Sequence, residues 1–346
     1  MPATTLIVPF ALPPAPMAPD LIRALQAPAL AALLSRHAAQ SLHAFEADSR
    51  VLPHEAWVAH ALELAGAPAA ADAGAPMAPA VMAGHGMAPA AGHWFLVHPV
   101  AIHVGSHLQM ADPRQLQLSE EESRTLFDAV LPLFTGDGHE LVYADAHNWF
   151  LRADAWAGLD TASPDAAFGD NLHAWMPRGD MARAFRRLQN EVQMLWFAHP
   201  LNAARQGRGQ PPINSFWLWG GADAARRPAP NSLATAAVPD WLARLAAPER
   251  RAAAPAQLRA GDVVVAGAAL AAGLAEDWGL WLEAMARLEQ DWFAPLLAAQ
   301  RAGSVGEVTL VLTHRHGWLQ TRTSKMAQYR FWRPVNLNPL QTPLLA

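Results

Sequence analysis

Ile213-Asn-Ser-Phe-Trp-Leu-Trp-Gly-Gly221 is the densest aromatic run in the chain. Its apolar residues are continuous and two glycines close it, so it reads as a buried strand ending in a turn. Buried Asn214 and Ser215 need hydrogen-bond partners, and Gly220 and Gly221 let a backbone approach a ligand closely. Just upstream, Asn202 to Pro212 is turn-rich and carries Arg205 and Arg208. Further upstream, Asp180 is placed to cap a helix on which Met181, Phe185, Leu188, Val192 and Leu195 recur every three or four residues. A polar helix face, an arginine-bearing turn and an Asn-Ser strand would then meet at one crevice. The expected ligand site is Asn202, Arg205, Asn214, Ser215, Trp219, Gly220 and Gly221, and guanidinium with amides suits a small anionic or phosphorylated metabolite. The same tryptophans and glycines read equally well as sheet packing followed by a turn.

Downstream, strands and helices alternate. Asp262 to Ala266 and Val308 to Thr313 are compact apolar strands. Between them, Asp277 to Gln300 places Trp278, Trp281, Met285, Leu288, Trp292 and Leu296 on one helical stripe, with a kink expected at Pro295. With the β-branched run Thr4 to Phe10 as a first strand, this order predicts an α/β fold, a mixed, mainly parallel sheet flanked by helices. Leu21 to Phe45 has helical spacing, and Pro53 to Leu64 reads as a shorter helix. Trp318 to Thr323 and Gln328 to Trp332 read as a closing hairpin.

Two earlier hairpins predict an inserted α+β layer. One pairs Val100 to Val104 with His107 to Ala111 around Gly105-Ser106; the other pairs Leu141 to Tyr143 with Trp149 to Arg152. Between them Ser119 and Glu122 form a capping box ahead of Leu126, Phe127, Val130 and Phe134. The expected organisation is residues 1–64 as the N-terminal part of the α/β core, 65–93 as a flexible Ala/Pro loop, 94–180 as the inserted layer and 181–346 as the rest of the core. The loop holds His85 and His93 among methionines, but nothing in such a stretch fixes a ligand geometry.

Composition removes several classes. With 25 Lys and Arg against 30 Asp and Glu, a net charge of -5, the chain lacks the clustered basic footprint of a nucleic-acid binder. It has no cysteine, which excludes thiolate metal sites and cysteine nucleophiles. Lys325 stands alone in Ser-Lys-Met, so there is no P-loop, and the zincin, nucleophile-elbow and dinucleotide-binding signatures do not occur. No apolar run reaches the ~20 residues of a membrane span, and the first ten residues lack the charged start of a signal peptide; a cytoplasmic location is expected. Among 15 histidines, His314 and His316 follow a strand and are the weak metal candidates, whereas His98 and His103 suit structural hydrogen bonding.

Asn214-Ser-Phe-Trp-Leu-Trp-Gly-Gly221 resembles a passage of the archaeal-type cofactor-independent phosphoglycerate mutases, of the alkaline-phosphatase-like superfamily, and of their relatives, the regulatory proteins of the RpfE type. Further likeness runs in order through Leu6-Ile-Val-Pro-Phe-Ala11, His98-Pro-Val-Ala-Ile-His103, Leu118-Ser-Glu-Glu-Glu122, Asn148-Trp-Phe-Leu-Arg152 and Tyr329-Arg-Phe-Trp-Arg-Pro334. The resemblance implies a phosphoglycerate-mutase-like fold. In active members, two divalent metals are held by Asp and His, and a first strand ending in Asp-Gly supplies a ligand. Here the matching strand ends Pro9-Phe10-Ala11, the late Asp-His pair is Thr313-His314, and Ala222 replaces a third glycine. A two-metal phosphoryl-transfer site needs its full ligand set. The resemblance with these departures implies a non-catalytic regulatory or ligand-sensing protein without a cofactor, whose partners are a small metabolite and a further protein. The alternative is a metal-dependent phosphoryl-transfer enzyme with a relocated site that uses His314, His316 or Asp223.

Overall fold

The structure, a computed structural model, describes residues 3–46, 48–66, 74–228 and 232–341. The strands among them are β1 (Thr4–Val8), β2 (Ala39–Ala44), β3 (His93–Val100), β4 (Ile102–Val104), β5 (Leu108–Met110), β6 (Glu140–Tyr143), β7 (Trp149–Arg152), β8 (Ser215–Asp223), β9 (Leu233–Ala236), β10 (Val263–Ala266), β11 (Val308–His314) and β12 (Gly317–Thr323). The chain divides into two compact units, residues 1–48 with 230–346, and residues 49–229.

The first unit is the α/β fold expected from strand-helix alternation. Its sheet runs β2-β12-β11-β1-β10-β9, with β11, β1, β10 and β9 mutually parallel and β12 antiparallel to both neighbours. Parallel strands are covered on both faces, and Ile7, Val265 and Val311 on one side are as buried as Leu6, Val264 and Leu310 on the other. The latter set packs with Leu30, Leu33, Trp281, Met285, Leu288 and Phe293 in one core.

Three expectations change here. Leu21 to Phe45 is not one helix: Ala18–Ala24 and Pro28–Ser35 are separate helices followed by β2, because Pro28 can start a helix but not continue one. The last hairpin is also replaced, since β12 turns back on β11 while Lys325–Gln328 forms a short helix. Near Pro295 the long helix passes through a π turn, Glu289–Phe293. Proline lacks the N–H that a regular turn would donate, and the π turn carries Glu289 to the start of the Pro28–Ser35 helix. There its carboxylate accepts the Ala29 and Leu30 N–H groups at 2.6 and 3.1 Å, which satisfies two orphan donors of that helix.

The second unit is α+β. Its main sheet, β6-β7-β3-β8, is antiparallel, and β4 pairs with β5 beside it. The Ser119/Glu122 capping box opens the Glu120–Gly136 helix as expected. Phe127, Val130, Phe134, Trp149, Phe185, Trp196 and Phe216 share its core. The aromatic strand read as part of the α/β core is β8 of this sheet, with Val97 opposite Leu218 and His98 opposite Trp217.

Local details differ too. The helix after Asp180 spans Ala182–Phe197 with Met181 at its N-cap position, so Asp180 does not cap it. The turn-rich passage contains a helix, Pro200–Gly207, with Pro200 in its first turn. Part of the Ala/Pro stretch is ordered: Ala78–Gly84 is a helix with Val81 and Met82 buried. Small residues permit close approach there, and tertiary burial supplies what propensity does not. The middle of that expected loop, 67–73, lies outside the described residues.

Candidate functional site

The expected ligand residues divide into framework and wall. Arg205 is fully buried and donates to the carbonyls of Pro211, Gln117 and Leu116 and to the Glu122 carboxylate. Asn202 closes a three-bond clamp: its amide donates to the Trp196 and Ile213 carbonyls at 2.8 and 2.7 Å, and its oxygen accepts the Ile213 N–H at 2.8 Å. Both side chains hold the Pro200–Gly207 helix and the entry to β8 in place. The glycines are likewise enclosed by the protein itself. A Cβ at Gly221 would lie 2.5 Å from Phe95 Cε1, and Gly220 has φ of 71°, the left-handed region that glycine adopts without strain. Trp219 is buried and stacks near His98, with ring centroids 6.0 Å apart.

Asn214 does reach a cavity. A groove of about 370 Å³ in this unit has Ile102, Leu108, Leu172 and Met176 as apolar wall and His173, Arg186, Gln189, Asn190, Gln193 and Asn214 as polar wall. That volume is within the ~300–1,000 Å³ of small-molecule sites. The polar residues are fixed to different degrees. Asn214 bridges the Ile102 N–H and carbonyl at 2.7 and 2.8 Å. Gln189 donates to the Phe216 carbonyl, and Gln193 donates to the Ser215 hydroxyl at 3.0 Å. Arg186 and Asn190 are exposed, and among the described residues their side chains have no hydrogen bond or ion pair. Among the described residues no carboxylate lines the groove, and its permanent charge comes from Arg186. Residues 186, 189, 190 and 193 lie at helical spacing on one face; they belong to the polar helix face expected from the sequence, but none of the four was among the expected ligand residues.

The first unit contains the position where the resemblance would put a metal ligand. Phe10, just past β1, is buried with φ of 56°, a costly conformation for an aromatic residue. Its backbone is held on both sides: its N–H donates to the Thr313 hydroxyl at 3.2 Å, and its carbonyl accepts the Trp281 indole N–H at 2.7 Å. Gly273 makes room for it, since a Cβ there would stand 2.5 Å from the Phe10 Cβ. Burial first, and then the neighbouring His316 and Arg315, push His314 down to about 4, and its ring lies 5.6 Å from that of His316. A metal ion favours such a neutral imidazole, but two divalent ions need carboxylates, and Phe10 offers none. Among the described residues, neither unit by itself brings three His, Asp or Glu ligand atoms together. Asp223, at the end of β8, turns its carboxylate to the Ala225 N–H at 2.8 Å. These residues do not fit a two-metal centre.

Among the described residues no helix is long and apolar enough to cross a membrane. No protein-family model matches the chain. A stretch of 116 residues, 33% of the chain, is 24% identical to the 2,3-bisphosphoglycerate-independent phosphoglycerate mutase of Methanosarcina mazei, and the match spans 29% of that protein. A cofactor-independent phosphoglycerate mutase from Thermoplasma acidophilum aligns over 100% of this chain and 96% of its own at 14% identity, with a TM-score of 0.46. The PH0037 protein from Pyrococcus horikoshii aligns over 93% of this chain and 87% of its own at 12% identity, with a TM-score of 0.50. The chain is thus weakly similar in sequence to part of a cofactor-independent phosphoglycerate mutase, and its likeness to the Pyrococcus horikoshii structure is one of fold.

Proposed function

We propose that the chain is a non-catalytic, ligand-sensing protein with a regulatory role, built on a phosphoglycerate-mutase-like scaffold. The observation that carries this reading is the arrangement at the end of β1. Phe10 sits there in a left-handed conformation, tied by Thr313 and Trp281 and packed against Gly273. A backbone strained in this way persists only where its surroundings over-determine it. An apolar side chain built in so firmly supports loss of phosphoryl-transfer chemistry at that position.

The ligand of this reading is a small anionic metabolite in the groove of the second unit. Arg186 supplies the charge, Asn190 and Asn214 supply amides, and Ile102 and Met176 receive an apolar part. A charge-assisted hydrogen bond from Arg186 would contribute on the order of 1.5–3 kcal/mol. A thermal-shift screen of phosphorylated and carboxylated metabolites on wild type, Arg186→Ala and Asn190→Ala tests it. Hits on wild type should weaken at least tenfold in Arg186→Ala; hits that bind all three proteins equally, or no hits, contradict the assignment.

A further inference from the structure

A second cavity, of about 590 Å³, lies wholly within the first unit, and its residues and predicted ligand are independent of the groove above. It opens at the carboxyl ends of the parallel strands β9 and β10, where Ala236, Ala237, Ala266 and Ala268 form its floor. Ligands of open α/β sheets bind at such strand ends. Small side chains keep the space open, and Leu288 and Trp292 give it an apolar wall.

Two features of its rim are unusual for a surface hollow. Ala237 and Ala252 both line it and both have positive φ, 52° and 56°, which non-glycine residues rarely adopt and which concentrates at ligand sites. The other is the π turn Glu289–Phe293, which contributes Asp291 and Trp292. The π turn begins between Arg287 and Asp291, which stand four residues apart and, among the described residues, form no ion pair. Both side chains line the cavity and are exposed, and among the described residues neither has a hydrogen bond or ion pair. One cation and one anion thus face the same hollow without neutralising each other.

We infer that this cavity binds a small zwitterion of the amino-acid type, with its carboxylate on Arg287, its ammonium on Asp291 and its side chain against Leu288 and Trp292. Opposite charges at one rim select a ligand carrying both charges, and a ligand with only one would leave its partner unpaired as the site desolvates. Ligand-observed NMR of the full chain with each of the standard L-amino acids is the test. At least one should bind; Arg287→Met and Asp291→Asn should each weaken it at least tenfold. Its deaminated analogue should bind Asp291→Asn at least as tightly as wild type, because without the ammonium the Asp291 carboxylate is left unpaired. Both positions are exposed, so circular dichroism should show folded variants. Absence of binding by every amino acid, or binding unchanged in both variants, overturns the inference.

Discussion

The guanidinium of Arg205 ends on the carboxylate of Glu122, the same carboxylate that accepts the Ser119 N–H at the start of the Glu120–Gly136 helix. Arg208 reaches its other oxygen. A local capping motif is thereby joined to a helix more than eighty positions on, and the arginine that looked like an anion ligand is a strut. Removing one partner of a buried pair costs about 3–5 kcal/mol. Arg205→Met should therefore lower stability by that order, since it also strands the Leu116 and Pro211 carbonyls. Urea unfolding measures the loss; a change below about 1 kcal/mol would mean that the strut is dispensable.

Stability should fall as the solution is acidified. His314 is held down to about 4 chiefly by burial, and His54 down to about 3 by burial and then by Arg114. The unfolded chain takes up these protons near pH 6.5, and the folded chain does so only at lower pH. Stability is thus full above about pH 6.5 and declines toward pH 4, by about 3 kcal/mol for His314 alone. Denaturant midpoints between pH 7.5 and pH 4.5 should fall for wild type and fall less for His314→Gln. Equal slopes for the two proteins would refute the assignment to His314.

The Ala78–Gly84 helix should matter for stability despite its composition. Met82 is buried, and Met82→Ala should cost about 2–5 kcal/mol. Thermal unfolding of this variant beside Met194→Ala, whose side chain is exposed, separates core packing from a general effect of removing methionine. Equal melting temperatures would show the helix to be marginal.

What the sequence made legible was local or periodic. Ser119 and Glu122 are three residues apart, and both hairpins announce themselves by alternation and turn residues; the alternation of β10, a long helix and β11 declared a mixed, mainly parallel sheet. What it hid depends on partners far away in the chain. Nothing near Arg205 shows that Leu116, Gln117 and Glu122 will surround it. Likewise, Glu289 reads as a surface helix residue until the Ala29 and Leu30 N–H groups appear beside it. The Ala78–Gly84 helix was missed because its apolar face is made of alanine, valine and methionine, whose burial only the tertiary structure confers. Of the expected site, Asn214 lines a cavity; Asn202 and Arg205 brace the elements around it.

The most direct test of the central claim is a joint assay of metal content and phosphoglycerate mutase activity on full-length protein purified without chelator, then supplied with manganese or magnesium. With Phe10 sealed at the end of β1 by Thr313 and Trp281, the expected result is no stoichiometric divalent ion and no interconversion of 3-phosphoglycerate and 2-phosphoglycerate above the uncatalysed rate. Tightly bound divalent ions in a fixed ratio to the chain, with turnover that a chelator abolishes and the metal restores, would contradict the account.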